Sequence, residues 1–458
     1  MTNPVLREFV LLITWLVLCA YSSLSLASVS VEEASALGTT LTPVGAEIAG
    51  NADGTIPAWI GGGVNIPESY VEGGHYPDPF ADEQPLFEIT AANVEQYADK
   101  LTAGHLALFK LYPDSFRMKV YPTHRTAKNP DWFYQRTAEC AITVNSGADG
   151  NSVDGGRACL PFPIPQTAEE IIWNHMLRYG PRYIVGEADS ISPDARGRYI
   201  TDKLKLYLYR AYYDLDRKPD NYMMMLIPKQ LAPARVAGDT YLIHDFINPS
   251  KHKRQAWKYF AGQRRVRRGA IFAFDTPIPN SGGLQTIDSV DMFNGSLEKY
   301  NWTLEGKREV YIGYNAYKVG AEGVKNADLI RPGHINSEYP RYELHRVWVV
   351  KATLKKGQRH LYKRREFYLD EDSWQIHICD IYDEQGELWR TNHSYSKYAW
   401  NSMGMGIAPG VQVYHDLKSR RYSATSLQSE YKRPYDMSKP PPGDRFFTPA
   451  SIRKMGVR

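Results

Sequence analysis

From about residue 182 onward, apolar and polar positions alternate with period two. Lys203-Leu204-Lys205-Leu206-Tyr207-Leu208 is a clear short run. In a longer one, Tyr342, Leu344, Trp348, Val350, Ala352 and Leu354 share a face opposite Arg341, Glu343, His345 and Lys351, with Arg346 the exception. Turn signals at Lys356-Gly357, Asp370-Glu371-Asp372 and Gln385-Gly386 divide residues 341–401 into a four-strand antiparallel meander. Trp374, Ile376, Ile378 and Tyr382 fall on one face of its third strand. Further strands are expected near 182–192, 199–213, 221–230, 239–247, 254–260, 270–274 and 308–317. So many antiparallel strands must curl or close to hide their edges. The expected fold is therefore mainly β (α+β): a large curved antiparallel sheet or unclosed barrel, with helices covering the concave face.

Two helices stand out before the strands. Thr90 can cap one that runs to about Leu111, where Leu101, His105, Leu108 and Phe109 keep helical spacing and Pro113 ends it. Thr167-Ala-Glu-Glu170 is a capping box opening a second, through Ile171, Ile172, Met176 and Leu177 to Gly180-Pro181. Residues 28–85, rich in Gly and Pro, read as an irregular arm across the main body. Trp59, Ile60, Ile66 and Tyr70 give it more apolar bulk than disordered segments carry. The expected organisation is a signal peptide over 1–27, the arm over 28–85, and a helical segment over 86–181. The curved sheet follows over 182–417, and an irregular tail with Pro440-Pro441-Pro442-Gly443 over 418–458.

The leader has three parts. Arg7 and the α-amino group make a weakly positive start, partly offset by Glu8; residues 9–21 are apolar except Thr14; and Ser25-Leu26-Ala27 puts small residues at −3 and −1. An apolar run of about 13 residues falls short of the roughly 20 that span a bilayer, which argues against an uncleaved anchor. Cys19 raises lipidation as an alternative, but Leu16-Val17-Leu18 lacks the small residues expected before a lipidated Cys. Export to the periplasm, with outer-membrane association as a further option, is the expected location.

Cysteine usage fits an oxidising compartment. Cys140 and Cys159 bracket a Gly/Asn/Ser/Asp-rich loop, and a bridge between them would remove on the order of 3 kcal/mol of chain entropy from the unfolded state. Cys379 is left as a buried free thiol, with reactive chemistry as the alternative. The 55 basic and 51 acidic side chains leave +4, which gives no case for nucleic acid. The 32 Tyr, 10 Trp and 15 Phe supply large apolar area with polar tips; half-buried strands and a greasy cavity would both use it.

Catalytic motifs with useful specificity are lacking: no G-x-S-x-G, H-E-x-x-H, P-loop or C-x-x-C. The loop from Asp149 begins like a calcium loop but puts Val153 and Leu160 where oxygen ligands belong. His175 is a packing residue sooner than a general base, Glu343, His345 and Arg346 read as a cross-strand ion pair, and Asp380, Asp383 and Glu384 as solvated turn carboxylates. No catalytic residue, metal or cofactor is therefore expected. The densest charge is Arg264-Arg265-Val266-Arg267-Arg268, of which Arg264, Arg265, Arg267 and Arg268 form a candidate patch for a lipid headgroup or an acidic partner, a solvated sheet rim being the alternative.

The strings LTPVGAEIAGNADGTIPAW (41–59), PFPIPQTAEEIIWNH (161–175), GQRRVRR (262–268), RYELHRVWVVKATLKKGQRHLYKRREFYLDEDSW (341–374) and DIYDEQGELWR (380–390) resemble the periplasmic domain-of-unknown-function family 1329 over nearly the whole mature chain. The resemblance implies a LolA/LolB-like fold, an unclosed antiparallel barrel with helices plugging an apolar cavity. It also implies company with RND-type exporters in hydrophobic-compound or lipid traffic, and it supplies no catalytic residue.

The expected function is thus a non-enzymatic periplasmic carrier or receptor for a lipid, lipoprotein or other hydrophobic molecule, with an RND-type transporter or outer-membrane components as partners. Candidate lining residues are Trp173 and Met176 on the second helix, with Trp257, Phe272, Trp348, Trp374 and Trp389 on strands; ordinary core is the alternative for each. An enzyme acting on a lipid or glycan, and an exporter-docking module without a ligand, are the alternatives for the whole chain.

Overall fold

The computed structural model describes residues 29–147, 149–269, 274–401 and 404–456; the expected signal peptide and Phe272 lie outside the described residues. Among the described residues, four helices of eight or more residues frame the sheet: α1 (Ala103–Leu111), α2 (Asp131–Thr143), α3 (Ala168–Met176) and α4 (Pro449–Gly456). None among the described residues is long and apolar enough to cross a membrane.

The sheet is built from short β1 (Phe87–Ile89) and β2 (Met118–Val120), then β3 (Tyr183–Ile191), β4 (Thr201–Tyr209), β5 (Tyr222–Ala232), β6 (Thr240–Phe246), β7 (Gln255–Phe260) and β8 (Arg265–Arg268). The second half adds β9 (Tyr300–Gly313), β10 (Tyr342–Leu354), β11 (Arg364–Asp370), β12 (Ile376–Tyr382), β13 (Leu388–Asn401), β14 (Gly404–Asp416), β15 (Arg421–Leu427) and the two-residue β16 (Tyr435–Asp436). Among the described residues these form one 16-stranded sheet in the order β1-β2-β10-β11-β12-β13-β14-β15-β3-β4-β5-β6-β7-β8, with β9 beside β10 and β16 beside β3. The named pairs are antiparallel except the single parallel contact of Tyr342 with Val120. β8 lies at one end of the order and β9 flanks β10 towards the other, so the sheet stays open, as its strand pattern implies.

The expected meander over 341–401 is β10 to β13. The two halves of the sheet meet where β15 pairs with β3, Ala424 opposite Ile191 and Leu427 opposite Asp189. That join falls in the segment expected to be irregular: residues 418–458 carry both β15 and α4. Tyr422, Ala424 and Leu427 enter the core at spacings of two and then three, a pattern too short and irregular to stand out beside the Pro-rich stretch that follows.

The helix expected over 90–111 is broken. A 3₁₀ turn, Val94–Lys100, comes first, and α1 starts afresh after Thr102, whose hydroxyl accepts from His105 N while His105 Nδ1 accepts from Thr102 N. Asp380 fixes the restart by accepting from Gly104 N at 2.9 Å. A Cβ at Gly104 would stand 2.3 Å from Asp380 Oδ1, so only glycine lets α1 sit so close. Asp380 is therefore no solvated turn residue: it is buried, and burial pushes its carboxyl up to about 6. α3 begins at the Thr167/Glu170 capping box as its sequence predicts. α2 was not anticipated, though Phe133, Thr137, Cys140 and Ala141 form a helical stripe that it buries. It carries Cys140, which is disulfide-bonded to Cys159.

The centre of the sheet is covered on both faces, so every residue of β12 is buried. Val350, Phe367 and Cys379 meet Ile171, Ile172 and Trp173 of α3 on one side. On the other, Val349, Tyr368 and Ile378 meet Tyr76 of the arm, and Val413 meets Leu108 and Phe109 of α1. Among the described residues α4 covers one face of β3 to β8: Tyr209, Met225, Ile227, Leu242 and Tyr259 close over Ile452 and Phe447.

Candidate functional site: an apolar sheet face with a basic edge

Directly paired residues of neighbouring strands point to the same face. The register therefore defines a row Ile184–Leu208–Leu226–Ile243–Ala256 across five strands, on the face opposite α4. A second row starts at Gly186, Leu206 and Pro228. Leu226 opposite Ile243 and Lys229 opposite Thr240 set Pro228 across from Tyr241, and Tyr241 pairs with Lys258, which pairs with Arg267. Ile184, Leu204, Leu206, Leu208, Met224, Leu226 and Ile243 are all half-buried. Apart from Met224, which touches the α3 core, none of these belongs to the four apolar cores.

The same face turns basic at its edge. Lys258 Nζ lies 4.4 Å from the Phe260 ring centre and 2.8 Å from Asp239, and Arg267 lies 5.8 Å from the same ring. Arg265 pairs with Phe260 and shares the face; Arg265 and Arg267 are exposed. Arg268 points the other way, 5.5 Å over Trp257, and Arg264 is in the left-handed turn at φ 53°. The four arginines are thus split between two faces and a turn. Aliphatic strands and a cationic edge make a surface suited to an amphiphile with an anionic end.

The other aromatic candidates fall elsewhere. Trp173, Met176, Trp348, Trp374 and Trp389 come together in the core under α3, and Trp257 lies in the core beneath α4. Trp173 and Trp374 are 2% and 1% exposed, donating from Nε1 to the Gly150 and Val44 carbonyls at 3.0 and 2.9 Å. Trp348 stacks on Trp374, and Trp389 donates to Asp416 at 2.9 Å. His175 is a packing residue, its Nδ1 accepting from Ile376 N at 3.1 Å and its Nε2 2.8 Å from Asp291 O, with burial pushing its pKa down to about 3. The Leu204-Leu206-Leu208 alternation was the signal for the apolar face. Which of its two sides would stay uncovered was not in it.

A polar centre occupies the face of β10 opposite Trp348. His345 holds Glu343 and Asp370 at 3.3 Å each, all three buried. Burial alone would push the imidazole down, but its bonds to Asp370 and Glu343 overcome that and hold it up at about 9. Arg125 donates to both oxygens of Asp372, and Glu371 accepts from Arg346 at 2.6 Å and Lys307 at 2.7 Å. His345, Asp370 and Asp372 offer atoms within 4.8 Å of one another, a spacing that could hold a metal ion. With both Asp372 oxygens taken by a guanidinium, the donor set fits ion pairing better. Arg125 and Arg346 also donate to the Glu47, Ile48 and Ala49 carbonyls, so the network staples the arm to the sheet.

Comparison with known proteins places the chain. The model of the family described as a protein of unknown function, DUF1329, matches residues 88–453. An uncharacterized protein of Pseudomonas aeruginosa is 42% identical over 441 residues, covering 94% of this chain and 95% of the relative. A candidate outer membrane lipoprotein-sorting domain from Vibrio parahaemolyticus is 13% identical with TM-score 0.43, over 62% of this chain and 97% of that one. A DUF1329 family protein from Desulfovibrio piger is 15% identical with TM-score 0.40, over 59% and 92%. A LolA superfamily protein from Nitrosomonas europaea is 13% identical with TM-score 0.36, over 62% and 98%.

Proposed function

The chain belongs to the DUF1329 family, and we propose that it is a periplasmic, non-enzymatic carrier or receptor that holds a lipid or similar amphiphile against the open face of β3 to β7. The observation that carries this reading is the register row Ile184–Leu208–Leu226–Ile243, half-buried beside Lys258, Arg265 and Arg267. An acyl chain laid along it gains about 0.8 kcal/mol per methylene removed from water. The cationic edge attracts an anionic head at the place where the chain ends. The signal-peptide pattern of the leader supports periplasmic work, and an RND-type exporter or an outer-membrane component is the partner to which such a carrier would pass its cargo.

Native mass spectrometry of protein from its own host, with lipid-dye uptake by the emptied protein, tests the reading. The wild type should retain a lipid mass, and Leu206→Asp with Leu226→Asp should weaken dye uptake about tenfold or more. Urea denaturation of the same variant separates lost binding from lost stability, because two carboxylates at half-buried strand positions also weaken the sheet. Arg265→Gln with Arg267→Gln should weaken uptake of anionic dyes at low salt and little at high salt. A wild type that is persistently empty and takes up no dye ends the proposal.

A further inference from the structure

Three buried imidazoles meet at the start of α1: His105 of the helix itself, His393 of β13 and His415 of β14, 0%, 3% and 4% exposed. The His105 and His393 rings lie edge to face with centres 4.8 Å apart, and His393 and His415 likewise at 5.8 Å. Among the described residues no carboxylate pairs with any of the three. β10 brings Tyr342 to the cluster, β13 brings Tyr395 bonded to Tyr342, and β15 stacks Tyr422 on His415. His334, before β10, acts on His415. Farther out, Glu366 acts on Asp380, and Arg331 and Arg420 act on Tyr422 and Tyr112.

Hydrogen bonds hold two of the rings in assigned neutral forms. His105 Nδ1 accepts from Thr102 N and closes the capping box of α1, so its proton sits on Nε2, which has no hydrogen-bond partner. Thr391 Oγ1 lies 2.7 Å from Asp380 Oδ1 and 3.0 Å from His393 Nε2. Its one hydrogen goes to the carboxylate, so His393 donates from Nε2. A second proton on His105 would land on Nδ1 and face the Thr102 N–H, donor against donor, which breaks the cap. A proton on His393 or His415 would set a buried cation beside another imidazole with no counter-charge in contact.

We propose that α1 is an acid-released latch: protonation of this cluster breaks the cap and lifts α1 off β13 and β14, baring the apolar surface around Val413 that Leu108 and Phe109 cover. The latch is independent of the amphiphile face and stands or falls without it. Burial holds His105 down at about 3 and His393 and His415 well below the ordinary histidine range, whereas released rings return to about 6.5. Opening therefore takes up a proton at each ring as pH falls below about 6.5. Asp380 opposes it, because its docked carboxyl, at about 6, returns on release to about 3.9 and gives its proton up. The net uptake is about two protons, so the opening constant should rise about 100-fold between pH 6 and pH 5.

Hydrogen exchange of the full-length protein, read by mass spectrometry and corrected for the intrinsic rate at each pH, tests it. Protection of the amides in 106–112 should fall about 100-fold from pH 6 to pH 5, while β11 and β12 keep theirs. Unchanged protection of α1 overturns the latch, and so does an equal loss in β12, which would be global acid unfolding. His105→Gln keeps the cap, because Gln at this position of a capping box also reaches the cap amide, but it removes one titrating ring. Its fall should shrink to about tenfold, and a fall still near 100-fold overturns the role of the cluster. If that variant does not fold, His415→Phe, which can stack on Tyr422 as the imidazole does, takes its place with the same expected change.

Discussion

Arg125 and Asp372 face each other in a two-bond pair, Nε to Oδ2 at 2.8 Å and the second guanidinium nitrogen to Oδ1 at 2.7 Å, with both side chains 3% exposed. Arg125 follows the short strand β2, and Asp372 sits in the turn between β11 and β12. The same guanidinium reaches the Glu47 and Ile48 carbonyls, so one residue ties the arm to the central hairpin.

Breaking this pair from one side should be expensive. Arg125→Met leaves Asp372 buried without its cation and should lower unfolding free energy by about 3–5 kcal/mol. Arg125→Met combined with Asp372→Leu should recover much of that loss. Urea denaturation of the three variants checks it. A single variant as stable as wild type would mean that the arm is held by other contacts.

His345 should make stability depend on pH. Its folded pKa, about 9, lies above the ordinary histidine value of about 6.5. Its contribution is therefore complete below about pH 6.5 and is lost as pH rises through 9, a fall of about 3 kcal/mol at most. His345→Gln should remove that slope. Urea midpoints at intervals from about pH 6 to 9.5 would show it, and parallel profiles for the two proteins would contradict it.

The Cys140–Cys159 bridge closes a loop with a sequence separation of 19. Replacing both with serine should cost about 3 kcal/mol, chiefly by freeing the unfolded chain. Thermal denaturation of the variant beside oxidised and reduced wild type measures it. Cys379 should resist iodoacetamide in the native state, because its thiol is buried and pushed well up.

Local pattern alone determined most of the strands between residues 182 and 401, their turns, the α3 capping box and the open β class, because period-two alternation and turn residues act over a few positions; β14 and β15 lie beyond the strands it predicted. Nearest-neighbour signals also gave the Cys140–Cys159 pair. The break before α1 was not legible: it depends on Asp380, 276 residues from Gly104 in the chain, accepting from that amide. The tryptophans show the same limit. Trp173 and Trp374 carry the composition of a cavity wall or of a core, and only the seating of α3 and of the Val44 carbonyl against them makes them core. The alternating leucines of β4 marked an apolar face, but not which of its sides would meet water. Whether a side chain meets a partner or water is settled by which distant segment covers it, and that is a property of the assembled sheet.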